Sequence, residues 1–230
     1  MKIHYHHSWD VRYKEAVTIQ QNLRSQLILH DRDLPEKIRT VAGADISYSR
    51  YSDLFFAAIV LLEYPTMNLI EEACYRERVS FPYIPGLLSF REGPAVLKAF
   101  ESLQNVPDIV IFDGQGIAHP RGIGLASHMG LFLNIPSIGC AKKRLVGSYD
   151  EVGQEIGDYA DLILENQIVG AALRTKEKVK PVFISPGHKI SIRRSIDVVI
   201  SCCRGYRLPE PVRRAHLLVN RLRIRAVSSC

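Results

Sequence analysis

Ala16, Ile19, Leu23 and Leu27 recur at three- and four-residue intervals, which predicts an amphipathic helix over about residues 9–29. DRDLPEK breaks that pattern. TVAGADISYS, LFFAAIVLLEYP and LIEEACYRERVSFP then follow, rich in β-branched, aromatic and alternating residues, with short polar or proline-containing turns between them. Connections this short predict an antiparallel three-strand meander. Pro94 has no backbone N–H and would clash with the Phe90 carbonyl inside a helix, so the next helix is expected to start near Gly93, with Val96, Phe100 and Leu103 inward.

DIVIFDG is short and wholly apolar, as a central parallel strand covered on both faces should be. A helix is predicted over about 122–134 with Leu125, Met129 and Phe132 inward, and IPSIGCA reads as another buried strand. DLILENQIVGAALRT predicts a hairpin turning near residues 165–167, and VKPVFISPGHKIS a further strand. SIRRSIDVVISCCRG and EPVRRAHLLVNRLRIR read as helices. The expected fold is therefore a mixed-sheet α/β domain over residues 1–230, with a three-strand meander, parallel central strands and flanking helices.

At 230 residues and 47% hydrophobic, the chain can bury one substantial core. LFFAAIVLL is too short to span a bilayer, and MKIHYHHSWD lacks the apolar stretch of a signal peptide, so a soluble cytoplasmic protein is expected. Five cysteines at 74, 140, 202, 203 and 230 form no CxxC pair, which argues against a zinc ribbon or a disulfide framework. Thirty Lys and Arg against 24 Asp and Glu leave a net charge of +6. The excess concentrates in KKR at 142–144 and RRAHLLVNRLRIR at 213–225, a distribution suited to a polyanionic partner or to a basic solvated surface.

Candidate chemistry begins with carboxylates. Asp45 shares its strand face with Val41, Gly43 and Ser47, a small and polar face for a middle strand. Asp113 ends the central strand, where ligands gather in open α/β sheets. The alternative for each is a turn or cap residue. Ser89 to Glu92 spells a capping box, but Pro94 then falls at an unfavourable helical position, so Glu92 is expected to project beyond the helix start. If Asp45, Glu92 and Asp113 converge, they supply hard oxygen ligands suited to Mg²⁺ and to metal-assisted phosphodiester hydrolysis.

DGQGIAHPRGIG fails GxGxxG because His119 stands at the third glycine's place, and no GxxxxGK[ST] occurs. Its glycines could let backbone approach a ligand, with His119 and Arg121 reaching a phosphate. PYIPG, residues 82–86, holds Tyr83 and Ile84 between Pro82 and Pro85, ahead of Gly86. A tip this stiff can wedge between bases, or fold Tyr83 back onto the core.

Together these stretches resemble the endonuclease V family, deoxyinosine-directed nucleases with a ribonuclease H-like fold. The resemblance covers nearly the whole chain and rests on VAGADISY, PYIPGLLSFRE, DIVIFDGQGIAHPRGIGLASHMGL, IGCAKKRLVG, PVFISPGHKIS and GYRLPEPVRRAH in order. It implies that Asp45, Glu92 and Asp113 are metal-associated catalytic residues, that Lys142 is a nearby cation acting on the phosphate, and that PYIPG is the wedge. It also implies a pocket for the extruded base formed with Gly114, Gly116, His119, Arg121 and Gly124. His216 stands where relatives carry His or Asp, which extends the metal role to it. The implied protein is a monomeric repair nuclease using Mg²⁺, with Mn²⁺ able to substitute. On damaged DNA it cuts the second phosphodiester 3′ to deoxyinosine, leaving 3′-OH and 5′-phosphate. The competing readings are an endoribonuclease acting on inosine-containing RNA and a non-catalytic nucleic-acid-binding module.

Overall fold

The computed structural model describes residues 1–49 and 52–228, with side chains described through residue 226. Eight strands form one sheet in the order β3-β2-β1-β4-β5-β8-β7-β6. They are β1 (Thr40–Tyr48), β2 (Leu54–Glu63), β3 (Leu69–Arg78), β4 (Ile109–Phe112), β5 (Ser137–Ala141), β6 (Tyr159–Leu164), β7 (Gln167–Leu173) and β8 (Val182–His188). The meander β1-β2-β3 is antiparallel, and β1, β4 and β5 run parallel. β8 closes antiparallel against β5, then β7 and β6 complete the sheet through the expected hairpin, turning on Glu165 and Asn166 with positive φ. This is a ribonuclease H-like mixed sheet, as expected from the sequence.

Alternation along the strands sorts side chains between two cores. Val41, Ile109, Ile111, Ile138 and Cys140 face α4 (Ile192–Ser201) and α5 (Glu210–Ser228). Ala42, Ala44, Val110 and Phe112 face α2 (Leu88–Glu101) and α3 (Leu125–Leu133). All four β4 residues are buried, which is why IVIF carries no polar position. Among the described residues no helix is long and apolar enough to cross a membrane, and Cys74, Cys140, Cys202 and Cys203 are free thiols. Cys230 lies outside the described residues.

Two helix boundaries differ from expectation. α1 spans Tyr13–Arg24, shorter than the predicted 9–29, because the Arg12 amide donates to Glu15 Oε2 at 2.8 Å and fixes the start there. α2 begins at Leu88, not near Gly93, and takes Pro94 into its interior. The reason is packing: Leu87 and Phe90 bury against Ala16, with Trp9 beside them, and this tertiary contact outweighs the local proline penalty. Glu92 is consequently a buried residue of the helix and does not project beyond its start. Ser89 is not the cap; its hydroxyl pairs with buried His128 Nδ1 at 2.8 Å.

Gly43 sets the depth at which α5 sits on β1. A Cβ there would lie 2.1 Å from both C and O of Pro211 and 2.7 Å from the Val212 nitrogen. These are backbone atoms with nowhere cheap to go. Gly43→Ala is expected to destabilise the protein by about 1–3 kcal/mol, as overpacking does. A urea midpoint equal to the parent's would contradict this close approach.

Candidate active site

Residues 41, 43, 45 and 47 of β1 share the face covered by α5. Strand residues two apart are about 6.6 Å along the chain, while helix residues four apart are about 6 Å, so the two series stay in step. Gly43 meets the Pro211–Val212 peptide, Asp45 Oδ2 meets His216 Nδ1 at 2.7 Å, and Ser47 Oγ donates to Asn220 Oδ1 at 3.0 Å, so Val212, His216 and Asn220 fall in step with Gly43, Asp45 and Ser47. The small, polar face noticed in the sequence is therefore a seat for a helix that carries a histidine. Asn220 Nδ2 also donates to the His216 carbonyl at 2.8 Å, which ties the turn that carries His216 to Ser47.

Asp113 comes in through register. Ala44 pairs with Phe112, and the Asp113 amide donates to the Ala44 carbonyl at 3.1 Å, so Asp45 on β1 and Asp113 just beyond β4 emerge side by side where the parallel pairing of the two strands ends. Lys142 stands one residue beyond β5, the next parallel strand, and its ammonium contacts Asp113 Oδ2. Asp45, Asp113 and His216 each offer one ligand atom, and these lie within 4.8 Å of one another. Two carboxylates and an imidazole, all half-buried, make a donor set that fits a divalent cation.

Glu92 is not in that group of three. It lies buried in α2, and burial first, then the charges of Asp45 and Asp113, push its carboxyl up to about 8. Burial and Asp45 also raise Asp113, against the pull of Lys142. Each carboxylate makes the next harder to ionise, the electrostatic state expected of a site that wants a cation.

Beside this cluster lies a cavity of about 140 Å³. Tyr83, Ile84 and Gly86 line it on one side, and Gly114, His119 and Gly124 on the other. Tyr83 is 64% exposed, so it does not fold back onto the core, whereas half-buried Ile84 packs beside Leu87 and Phe90. The glycines divide differently from expectation. Gly116 lies against β8, where a Cβ would meet the Pro186 oxygen at 2.1 Å, and its amide donates to Ser185 Oγ at 2.8 Å. It makes room for a neighbouring strand, and Gly114 and Gly124 border the cavity.

His119 is buried, and burial first, then Arg121, lower its pKa to about 4. Arg121 does not project freely toward a ligand. Its guanidinium donates to Gln20 Oε1 and to the Gly86 carbonyl, binding the PYIPG loop to the glycine-rich loop. Gln20 itself donates to the Gly86 carbonyl at 3.0 Å from α1. It escaped the sequence reading, although a signal was there: a glutamine on the apolar stripe between Ala16 and Leu23.

A ribonuclease H-like sheet with acidic residues gathered at the carboxyl ends of its parallel strands defines a nuclease-type α/β protein. An endonuclease V family model matches residues 21–217, and the chain belongs to the endonuclease V family. The endonuclease V of Dehalococcoides mccartyi (strain BAV1) is 52% identical over 217 residues, covering 94% of this chain and 96% of that one. The Bacillus subtilis endonuclease V structure superposes with a TM-score of 0.95 at 32% identity over the whole of both chains. Endonuclease V of Ciona intestinalis, solved with a 23mer DNA containing an inosine followed by a ribo-adenosine, superposes with a TM-score of 0.84 at 28% identity, over 94% of this chain and 100% of that one.

Proposed function

We propose that this chain is a monomeric, single-domain DNA repair nuclease that recognises deoxyinosine through its hypoxanthine base and hydrolyses the second phosphodiester on the 3′ side. Mg²⁺ is the proposed cofactor, with Mn²⁺ able to replace it. The observation that carries the reading is the juxtaposition of Asp45, Asp113, His216 and Lys142 with a cavity roofed by the exposed Tyr83 loop.

Asp45, Asp113 and His216 would hold the cation, with Glu92 behind them as a carboxyl that keeps its proton to about pH 8 before the cation's charge is added. When bound, the cation supplies activation of water and neutralisation of charge at the scissile phosphate. The water oxygen bonds to phosphorus, the P–O3′ bond breaks, and the 3′ oxygen leaves with a proton. Lys142, at the same strand ends, stabilises negative charge on the phosphate in the transition state. Hypoxanthine leaves the stack and enters the cavity between the two loops, while Tyr83 fills the gap it leaves.

The test is incubation with a duplex carrying one deoxyinosine, with and without Mg²⁺, mapping the cut to the nucleotide. A single cut at the second 3′ phosphodiester, lost in EDTA, is expected. Binding without cleavage in any divalent metal would favour the non-catalytic module. The ribo-adenosine following inosine in the Ciona complex gives the RNA reading a specific basis. Paired oligonucleotides differing only in their sugars decide it: faster cutting of the RNA would replace the DNA repair reading.

The wedge carries its own prediction. Tyr83→Ala is expected to slow cutting of duplexes by about tenfold, the value of one lost stacking contact, while single strands are cut nearly as before. Equal loss on both substrates would mean that Tyr83 contacts the base in its pocket and does not open the duplex.

A further inference from the structure

GYRLP, the segment before α5, is left without a task by the metal cluster and the base cavity. Its Arg207 holds backbone at the point where the β5–β8 ladder stops. The last pair in that ladder is Ala141 with Phe183, and the carbonyls just beyond it need other donors. Arg207 Nη2 donates to the Lys142 carbonyl at 2.7 Å and to the Pro181 carbonyl at 2.9 Å, and its Nε donates to the Lys180 carbonyl at 2.8 Å. The Arg207 carbonyl in turn accepts from Thr175 Oγ1 at 2.6 Å, and Thr175 is buried. On the other side, Gln115 Nε2 donates to the Lys143 carbonyl at 3.0 Å from the loop that borders the base cavity.

The geometry points to Arg207 as a positioning residue for Lys142. A lysine side chain has four rotatable carbons, so its ammonium is placed only as well as its backbone is placed. Lys142 lies outside the strand, where the sheet no longer fixes it. A planar guanidinium bridging three carbonyls replaces the missing ladder, and it anchors Lys142 to the strand end of β8. Gln115 couples the same turn to the loop that follows Asp113. The Arg207 guanidinium is taken up by these carbonyls, so it acts through the lysine.

This inference rests on the proposed role of Lys142 in cleavage, and the test separates the two. Single-turnover cleavage of the deoxyinosine duplex is measured in Mg²⁺ for the parent chain and for Lys142→Ala, Arg207→Ala, Arg207→Lys and the Lys142→Ala/Arg207→Ala double variant. Arg207→Ala is expected to lose about 10- to 100-fold in rate at saturating enzyme, the scale of a misplacement near 1 Å, with the half-saturation point little changed. In the Lys142→Ala background the second substitution should add less than about twofold, because the residue it positions is gone. Guanidinium ion should restore part of the Arg207→Ala rate, where sodium chloride of equal ionic strength does not. If Arg207→Ala fails to fold, Arg207→Lys carries the test, since it keeps the charge but loses the fork and should show the same selective loss of rate.

Parent-like rates in Arg207→Ala, or in Arg207→Lys where that variant carries the test, beside a crippled Lys142→Ala would overturn the inference and leave the role of Lys142 intact. Losses that multiply in the double variant would also overturn it, because they would mean that Arg207 supports the fold generally. If Lys142→Ala cleaves normally, the reading of Lys142 itself falls.

Discussion

Asp113→Ala is expected to lower cleavage of a deoxyinosine duplex by on the order of a thousandfold or more, with the fold and most of the DNA affinity retained. The size follows from what converges on this one carboxylate. It shares with Asp45 and His216 the only arrangement among the described residues that brings such donors within 4.8 Å, and it contacts the Lys142 ammonium. Removing it would take away a proposed cation ligand and free the lysine from its partner. The fold should survive because Asp113 lies beyond β4, whose own residues keep both cores, and because burial already raises its pKa against ionisation. Lys142, 37% exposed, stays solvated without it. The check is single-turnover cleavage beside a binding titration and circular dichroism. Near-parent cleavage by the folded variant would remove Asp113 from the catalytic machinery and with it the proposed site.

How much of this was legible beforehand depends on whether a feature has a period. The β1 face of Val41, Gly43, Asp45 and Ser47 was visible as a strand face too small and polar for its place, and IVIF as a strand buried on both sides. Both follow from alternation. What covers the β1 face was not visible, because nothing in a linear pattern says that residues near 211–220 will pack on residues near 43–47. His216 was therefore tied to the site only through the family resemblance until α5 brought it to Asp45. Glu92 was misplaced for a different reason. Local proline chemistry argued for a late helix start, and the burial of Leu87 and Phe90 overrode it. Gln20, Arg121 and Arg207 share a third kind of obscurity. Each works by donating hydrogen bonds across long sequence distances, largely to backbone carbonyls, and every residue presents such a carbonyl, so the partner leaves no mark in the sequence.

Acid should destabilise this protein steeply between about pH 6.5 and 4, and the cause is a set of buried histidines held neutral. Burial lowers His119 to about 4, with help from Arg121, and lowers His188 to about 4, with help from Lys189. His128, fully buried, is held well below 6.5 by burial first and then by His7; its Nε2 lies 2.7 Å from that of His7, so only one of those two nitrogens can carry a proton there. The sign follows from proton counts. Between the folded values and the unfolded value near 6.5, the unfolded chain binds more protons, so stability falls as pH falls. A displacement from 6.5 to about 4 amounts to about 3 kcal/mol for each of His119 and His188 by pH 4. Glu92, raised to about 8, and Asp113, also raised, run the other way, since a carboxyl with a raised pKa gains a proton on folding, and they offset part of the histidines' loss. The net loss is thus a sizeable fraction of the stability of an ordinary domain. Urea unfolding of the metal-free protein at pH 7 and pH 4.5 measures it. His119→Asn isolates one share: the amide oxygen takes the place of Nδ1, which accepts from the Arg121 amide at 3.2 Å, and it cannot be protonated in this range. That variant should show a drop smaller by about 2–3 kcal/mol, and an unchanged drop would mean that His119 is already as easily protonated when folded as when unfolded.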